Sequence, residues 1–357
     1  MATYHVIGIM SGTSLDGVDL AYCRFTYNEK NWIYKILNTE TLPYTDVWLK
    51  RLSTLTEASA AEIIATDRAY GRYLGELVKN FVEANKLSVD FVSSHGHTIF
   101  HQPQLDITFQ VGSGAYLAAA AGLPVVCDFR TLDIALGGQG APLVPIGDKL
   151  LFSDYDFCLN LGGISNISQE GLDRRVAFDI SCCNMLLNPL AEELGFAYDR
   201  NGELARQGQF QPDLFEKLNE ASYFSAAYPK SIGKEWADEN SLKVLSHSKA
   251  STQDKLNTAC HHIGYQVAQS VKQHASQAHG RLLLTGGGAF NGFLVEQIQH
   301  YLGPEFEVVV PEPELVNFKE ALIFAFLGVL RWRQETNCLK SVTGASQDNC
   351  GGAIYWM

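Results

Sequence analysis

The chain has 357 residues, 46% hydrophobic and 18% charged, which fits a globular protein of about two domains rather than a disordered or fibrous one. Its formal net charge of -12 excludes a broad nucleic-acid footprint, which needs clustered Lys and Arg to neutralise phosphates. The N-terminus lacks the basic region, apolar run and cleavage site of a leader, and the longest apolar stretch, around 321–330, falls far short of the ~20 residues that span a bilayer, so a cytoplasmic protein with no membrane partner is expected.

Residues 4–10 and 18–25 read as two strands around the loop Ser11-Gly12-Thr13-Ser14-Leu15-Asp16-Gly17, which makes the opening unit a β-hairpin. A P-loop would instead run from a strand through GxxxxGK(S/T) into a helix, and no such string is present. Between 60 and 86, Ile63, Tyr70, Leu74, Leu77 and Phe81 recur at helical spacing and predict an amphipathic helix with one core-facing side. Residues 91–94 form a short strand entering a turn rich in histidine (His95, His97, His101), and 117–121 fit a helix that ends at Gly122 before a strand at 124–127. This alternation is that of an α/β protein.

A second Gly-rich hairpin follows, with strands near 155–161 and 164–168 around Asn160-Leu161-Gly162-Gly163-Ile164-Ser165-Asn166. Two hairpins, each opening an α/β half, point to an ancient duplication with a cleft between the halves. A strand over 175–178 ends at Asp179. Leu256, Cys260, Ile263, Val267 and Val271 mark one face of a long helix, and a strand at 281–285 runs into Gly286-Gly287-Gly288-Ala289-Phe290-Asn291. With a helix starting near Gly292, that turn sets backbone N–H groups where an anion or nucleotide can bind. A strand at 308–310 and a nearly all-apolar, buried helix at 320–332 complete the pattern.

The eight cysteines (Cys23, Cys127, Cys158, Cys182, Cys183, Cys260, Cys338 and Cys350) include no CxxC pair with zinc-like spacing, so reduced thiols are expected. His95, His97 and His101 raise a metal reading, but no nearby Cys or carboxylate completes a site.

Taken together, these strings resemble one family, the anhydro-N-acetylmuramic acid kinases of the actin, hexokinase and Hsp70 superfamily. The resemblance rests on Gly8-Ile9-Met10-Ser11-Gly12-Thr13-Ser14-Leu15-Asp16-Gly17-Val18-Asp19, and on Asp128-Phe129-Arg130 followed by Gly137-Gly138-Gln139-Gly140-Ala141-Pro142-Leu143-Val144-Pro145. Further blocks are Ser94-His95-Gly96, the second hairpin, Pro229-Lys230-Ser231, Lys319-Glu320-Ala321 and Val342-Thr343-Gly344-Ala345. It covers nearly the whole chain.

The resemblance implies a two-lobed actin-like (ribonuclease H-like) α/β fold with its active site in the interlobe cleft. One lobe would comprise 1–129 plus 335–357, and the other 130–334 with the second hairpin, the catalytic aspartate and the adenosine motif. It implies that ATP and water convert 1,6-anhydro-N-acetylmuramic acid, a cell-wall recycling product, into N-acetylmuramic acid 6-phosphate and ADP, with Mg²⁺ and a homodimer. Asp179 matches the family's general base. The loop residues Gly12, Thr13, Ser14, Leu15, Asp16, Gly17, Val18 and Asp19, with Gly162 and Gly163, would hold the ATP phosphates, and Gly286, Gly287, Gly288 and Asn291 the adenosine end. His95, Arg130 and Glu320 would meet the sugar, Arg130 through a charge-assisted pair with the lactyl carboxylate.

Several positions keep two readings. Asp16 and Asp19 repel phosphate, so at least one holds Mg²⁺ through water or orients the loop; a turn carboxylate is the alternative. The chain departs from the family at Ile180-Ser181-Cys182-Cys183, where Thr-Gly-Pro-Gly is usual, and the change reads as a repacked loop, an altered affinity or a lost activity. His97 stands where the family usually has glutamine, and Phe290 where histidine is common. A non-catalytic nucleotide- or sugar-binding paralogue and a kinase for another sugar are the alternative functions.

Overall fold

The computed structural model describes every residue except Met1, Thr13, Ser14, Leu172 and Ser276. It divides into one unit of Met1–Leu151 with Phe318–Met357 and a second of Phe152–Asn317.

In the first unit, β1 (Ala2–Met10) and β2 (Val18–Tyr27) form the expected opening hairpin, extended by β3 (Trp32–Leu42). β4 (Phe91–Ser94) and β7 (Val125–Cys127) lie on the other side of β1 and parallel to it, and β13 (Ala353–Tyr355) closes that edge antiparallel. The sheet order is β13-β7-β4-β1-β2-β3. A separate hairpin of β5 (His97–Gln102) and β6 (Ile107–Val111) lies between β4 and β7 in sequence. Val6, Ile7 and Ile9 are all buried because β1 is covered on both faces, which is why it reads as a continuous apolar run rather than an alternating one.

The helix Ala60–Asn85 follows the expected periodicity, with Ser59 accepting a hydrogen bond from the Glu62 N–H as its N-cap and Tyr70, Leu74, Val78 and Phe81 in the core. Each such side chain contributes about 1.5–3 kcal/mol on burial. The apolar helix at the C-terminal end runs Pro313–Trp332, longer than expected at its start. It presses on the sheet closely enough that a Cβ at Gly328 would stand 2.5 Å from Ser93 Oγ, and the same pressure at Gly8, against Ala321, holds Lys319 and Glu320 near the end of β1.

The second unit repeats the topology. β8 (Phe157–Leu161), β9 (Ile164–Glu170) and β10 (Arg175–Cys182) are antiparallel neighbours. β11 (Gly280–Thr285) and β12 (Phe306–Val309) run parallel to β8, giving the order β10-β9-β8-β11-β12. Numbered along the chain within each sheet, the first reads third, second, first, fourth, fifth, sixth and the second reads third, second, first, fourth, fifth, with the same directions over the shared five strands, so the expected duplication is visible in the chain path. The long helix Thr252–His274 buries Leu256, Cys260, Ile263, Val267 and Val271 as expected.

The boundaries between units fall after residues 151 and 317, where the sequence had suggested 129 and 334. The reason is a buried knot. Asp133, on the short helix Thr131–Ala135, accepts hydrogen bonds from Thr343 Oγ1 (2.8 Å), Asn349 Nδ2 (2.9 Å) and the Gly140 N–H (2.8 Å), which ties residues 130–143 to the C-terminal segment. The following helix, Val144–Leu151, is pinned by a buried ion pair between Asp148 and Lys319 (2.8 Å).

Candidate active site

The chemistry-bearing residues gather in two clusters, one in each unit. In the first unit the opening loop leaves β1 at Ser11, whose hydroxyl is turned inward: it donates to the Gly96 carbonyl (3.2 Å) and accepts from Tyr70 Oη (3.0 Å). Ser11 is therefore part of the loop's foundation. His97 joins the same foundation, with Nδ1 3.5 Å from Ser11 Oγ and its ring edge-on to Tyr70. Thr13 and Ser14 lie outside the described residues.

Of the rest of the loop, Leu15 adopts φ 60° and its N–H donates to the Gly12 carbonyl (3.3 Å), turning the chain back. At Gly17 a Cβ would stand 2.5 Å from the Leu42 carbonyl oxygen, so only glycine fits. Val18 is fully buried, and any contact it makes with a ligand is through its backbone. Asp16 is exposed and Asp19 half-buried. Burial raises the Asp19 carboxyl above its ordinary range, the Thr41 hydroxyl (2.6 Å) lowers it and the Asp16 charge raises it further. Two carboxylates that repel one another are a favourable place for a cation. Among the described residues no group of three or more His, Cys, Asp or Glu side chains is placed to hold a metal.

His95, Arg130 and Glu320 come together in this unit. Arg130 Nε and Nη2 donate to His95 Nε2 (3.2 and 2.9 Å) and Nη1 donates to the Gly140 carbonyl (2.7 Å). His95 Nδ1 lies 2.9 Å from the Gly96 carbonyl, so the proton belongs on Nδ1 and the Nε2 lone pair faces the guanidinium. Burial and the Arg130 charge hold this imidazole well below its ordinary pKa, that is, neutral. With Nε2 occupied by Arg130, His95 is no metal ligand. Glu320 is open to solvent, yet surrounding protein strips enough water to raise its carboxyl, against the pull of Lys319 and Arg130.

In the second unit, β10 runs on past Asp179 to Cys182, so the aspartate is not at a strand end as the sequence had suggested. A bulge lies between Asp179 and Ser181, leaving Ile180 as the extra residue. Such a bulge re-aims the neighbouring side chain. Ser165 supports it, donating to the Ser181 carbonyl (2.9 Å) and accepting from the Ser181 N–H (3.2 Å). Asp179 Oδ2 accepts the Ile232 N–H (2.9 Å), while the Asp179 N–H donates to the Lys230 carbonyl (3.3 Å) and the Asp179 carbonyl accepts Tyr223 Oη (2.8 Å). Burial raises the Asp179 carboxyl above the usual carboxylate range, partly opposed by the Ile232 N–H. Tyr223 and Ile232 carry no sequence signal of this role; Lys230 sat in a matched block without a role assigned.

The residues that depart from the family, Ile180, Ser181, Cys182 and Cys183, are at most 1% exposed. None adopts positive φ, so neither missing glycine is needed for a left-handed backbone here, and the change is absorbed by the core.

The two glycine turns of this unit abut. The carbonyls of Gly162 and Gly163 cap the start of the helix Asn184–Glu193, accepting the N–H groups of Asn184 (3.1 Å) and Cys183 (2.8 Å). Gly286 has φ 80° and a Cβ there would stand 2.9 Å from the Leu161 carbonyl carbon; at Gly288 it would stand 2.8 Å from Leu161 Cβ. Gly287 remains exposed, with Phe290 beside it at 43% exposure. Asn291 is the N-cap of the helix Gly292–Leu302, its Oδ1 accepting the Leu294 N–H (3.0 Å).

A twice-repeated α/β sheet with a glycine hairpin in each repeat is the fold expected of the actin-like class, and the second repeat carries a carboxylate aimed by a bulge. The family model described as anhydro-N-acetylmuramic acid kinase matches residues 4–357. The chain belongs to the anhydro-N-acetylmuramic acid kinase family. It is 34% identical to the anhydro-N-acetylmuramic acid kinase of Sulfurovum sp. over 98% of both chains, and 32% identical to that of Shewanella woodyi over 99% of both. Among solved structures it resembles the activator of 2-hydroxyisocaproyl-CoA dehydratase from Clostridium difficile (TM-score 0.44, 14% identity, 92% of this chain and 97% of that one). It also resembles a ROK family glucokinase from Streptomyces griseus (TM-score 0.41, 12% identity, 90% and 98%). No helix among the described residues is long and apolar enough to cross a membrane.

Proposed function

We propose that this chain is an ATP-dependent kinase that hydrolytically opens 1,6-anhydro-N-acetylmuramic acid and phosphorylates O6, yielding N-acetylmuramic acid 6-phosphate and ADP in cell-wall recycling. The observation that carries the reading is Asp179, a carboxylate with one oxygen fixed by a backbone N–H and a pKa raised by burial. In this role Asp179 takes a proton from the water that attacks the anomeric carbon; the C1–O6 bond breaks and the released O6 attacks the γ-phosphorus, expelling ADP. A positioned base of this kind contributes about 10²–10⁴-fold in rate.

His95, Arg130 and Glu320 bind the sugar. Arg130 is held by His95 and Gly140, which fixes its charge for the lactyl carboxylate. The loop at 12–19 and the Gly162-Gly163 turn hold the phosphates through backbone N–H groups, and Gly286, Gly287, Gly288 and Asn291 meet the adenosine, Asn291 through its backbone position since its Oδ1 is committed to a cap. Asp16 and Asp19 would hold Mg²⁺, which neutralises charge on the phosphates when bound. A homodimer and a cytoplasmic location belong to the same reading.

The feature that motivated a non-catalytic reading, the changed 180–183 stretch, lies in the core and leaves Asp179 and Asn184 in place. The test is turnover with ATP and the anhydro-sugar in ¹⁸O-labelled water. Label at C1 of the phosphorylated product is expected for the wild type, and Asp179→Asn should lose about 10²–10⁴-fold in kcat. Product without label would identify a kinase for another reaction, ligand binding without product a paralogue that has lost the chemistry, and full turnover by Asp179→Asn would remove Asp179 from the mechanism.

A further inference from the structure

We propose that the strap at 223–232 is a clamp for the catalytic carboxylate, with Tyr223 and Lys230 as positioning residues that select which oxygen of Asp179 acts as the base. The inference rests on Asp179 being the base. Three separate bonds from the strap reach this one residue: Tyr223 Oη to its carbonyl, its N–H to the Lys230 carbonyl, and the Ile232 N–H to Oδ2. No protein group among the described residues donates to Oδ1. Oδ2 is thus tethered and Oδ1 is the oxygen left to accept a proton.

The bulge explains why a clamp is needed. Opposite Ile180 the ladder between β9 and β10 is interrupted, with Asp179 paired to Asn166 and Ser181 to Ser165. The strand gives Asp179 less support here than a regular ladder would, and the strap supplies it from the opposite edge, since β10 is the outer strand of its sheet.

Lys230 closes the clamp on itself. Its ammonium donates to the carbonyls of Tyr223 (3.1 Å) and Phe224 (3.3 Å) and lies 4.8 Å from the Tyr223 ring centroid and 5.6 Å from that of Phe178. It therefore staples the two ends of the strap together and holds the Tyr223 ring beside the strand residue that precedes Asp179. Phe178 also stacks on Tyr228 of the strap, centroids 5.7 Å apart and 7° from parallel. Lys230 makes no ion pair with Asp179, so its contribution is to geometry rather than to the charge of the base.

Tyr223→Phe removes only the hydroxyl and keeps the ring under the ammonium; Lys230→Met keeps the length of the side chain and removes the staple. In each, kcat should fall about tenfold while KM for ATP and for the sugar stay within about twofold, the pattern of an interaction used in the chemical step. Loosening the Ile232 N–H bond removes the contact that lowers the Asp179 pKa, so the acid limb of the kcat–pH profile should move to higher pH. Melting temperature, measured on the same samples, reports folding. Wild-type kcat with an unmoved acid limb in both variants would overturn the proposal, as would a loss of kcat that tracks a fall in melting temperature with the acid limb unmoved. Asp179→Asn in the same assay separates the two levels: if that variant turns over normally the base assignment fails, whereas if it is inactive and the strap variants behave as wild type, only the clamp fails.

Discussion

Cys182 and Cys183 stand three and four residues beyond the proposed base. Both are free thiols and fully buried. Burial pushes Cys182 up to about 11 and Cys183 up to about 12. Because the thiolate is the reactive form, at pH 8 only about one Cys182 in a thousand is ionised, and protein covers that one. Both thiols should therefore stay unmodified when the native protein is treated with a disulfide reagent at pH 8 and be modified once it is unfolded, as peptide mass mapping would show. Native-state modification of either would mean the 180–183 stretch opens to solvent and is not absorbed in the core. The same burial explains how the altered letters are accommodated: Ile180, Cys182 and Cys183 belong to the buried apolar cluster that also holds Leu186 and Leu190.

The helices of the first unit are packed through glycine. On the helix Ala60–Asn85, a Cβ at Gly75 would stand 2.6 Å from Ala120 Cβ and 2.7 Å from the Leu117 carbonyl oxygen, and one at Gly71 would stand 2.5 Å from the Ser113 carbonyl oxygen. These neighbours are backbone or a methyl fixed to backbone, on the helix Gly114–Ala121 or at its N-cap Ser113, so neither can swing aside. Alanine gains about 1 kcal/mol in helix propensity over glycine, but overpacking costs about 1–3 kcal/mol. At Gly71 and Gly75 the steric cost should win: Gly75→Ala should lower the urea midpoint without changing the slope, and an unchanged or raised midpoint would show that the two helices have room to part. The sequence displayed this helix plainly through its periodicity, and both hairpins through their turn residues, since those signals are local. It hid what depends on distant contacts. Asp179 read as a strand end because a one-residue bulge has no letter of its own. The strap that holds it lies more than forty residues downstream, and the boundary after residue 151 is set by Asp133 bonding to Thr343 and Asn349. Asn291 was legible as part of a glycine turn but not as the cap of the helix that follows.

At the scale of the whole molecule, each unit carries a buried histidine that folding keeps neutral: His95 in the first and His262 in the second. Burial lowers both below the ordinary 6.5, His95 with help from Arg130, and His262 to about 3. His262 Nδ1 lies 2.9 Å from Asn219 Oδ1, its ring packs against Phe224, and its Nε2 has no hydrogen-bond partner, so protonation would leave a charge with no acceptor. Above pH 6.5 these groups are neutral in both the folded and unfolded states and do not affect stability. As pH falls below 6.5 the unfolded chain takes up protons that the folded one refuses, and stability falls by about 1 kcal/mol per pH unit for each such histidine. For His262 the loss continues down to about pH 3. The raised carboxyls of Asp19, Asp179 and Glu320 act with the opposite sign, because their folded forms hold protons more tightly than the unfolded chain does, so the net slope alone does not isolate the histidines. His262→Phe does: it keeps an aromatic ring against Phe224 and removes the titration, while Gln266 Nε2 still donates to Asn219 Oδ1 (2.6 Å). Urea unfolding at pH 7.5, 6.5 and 5.5 should show that the variant loses less stability than the wild type between the last two pH values, by about 1 kcal/mol. Parallel slopes for the two proteins would mean that His262 is not held neutral by the fold.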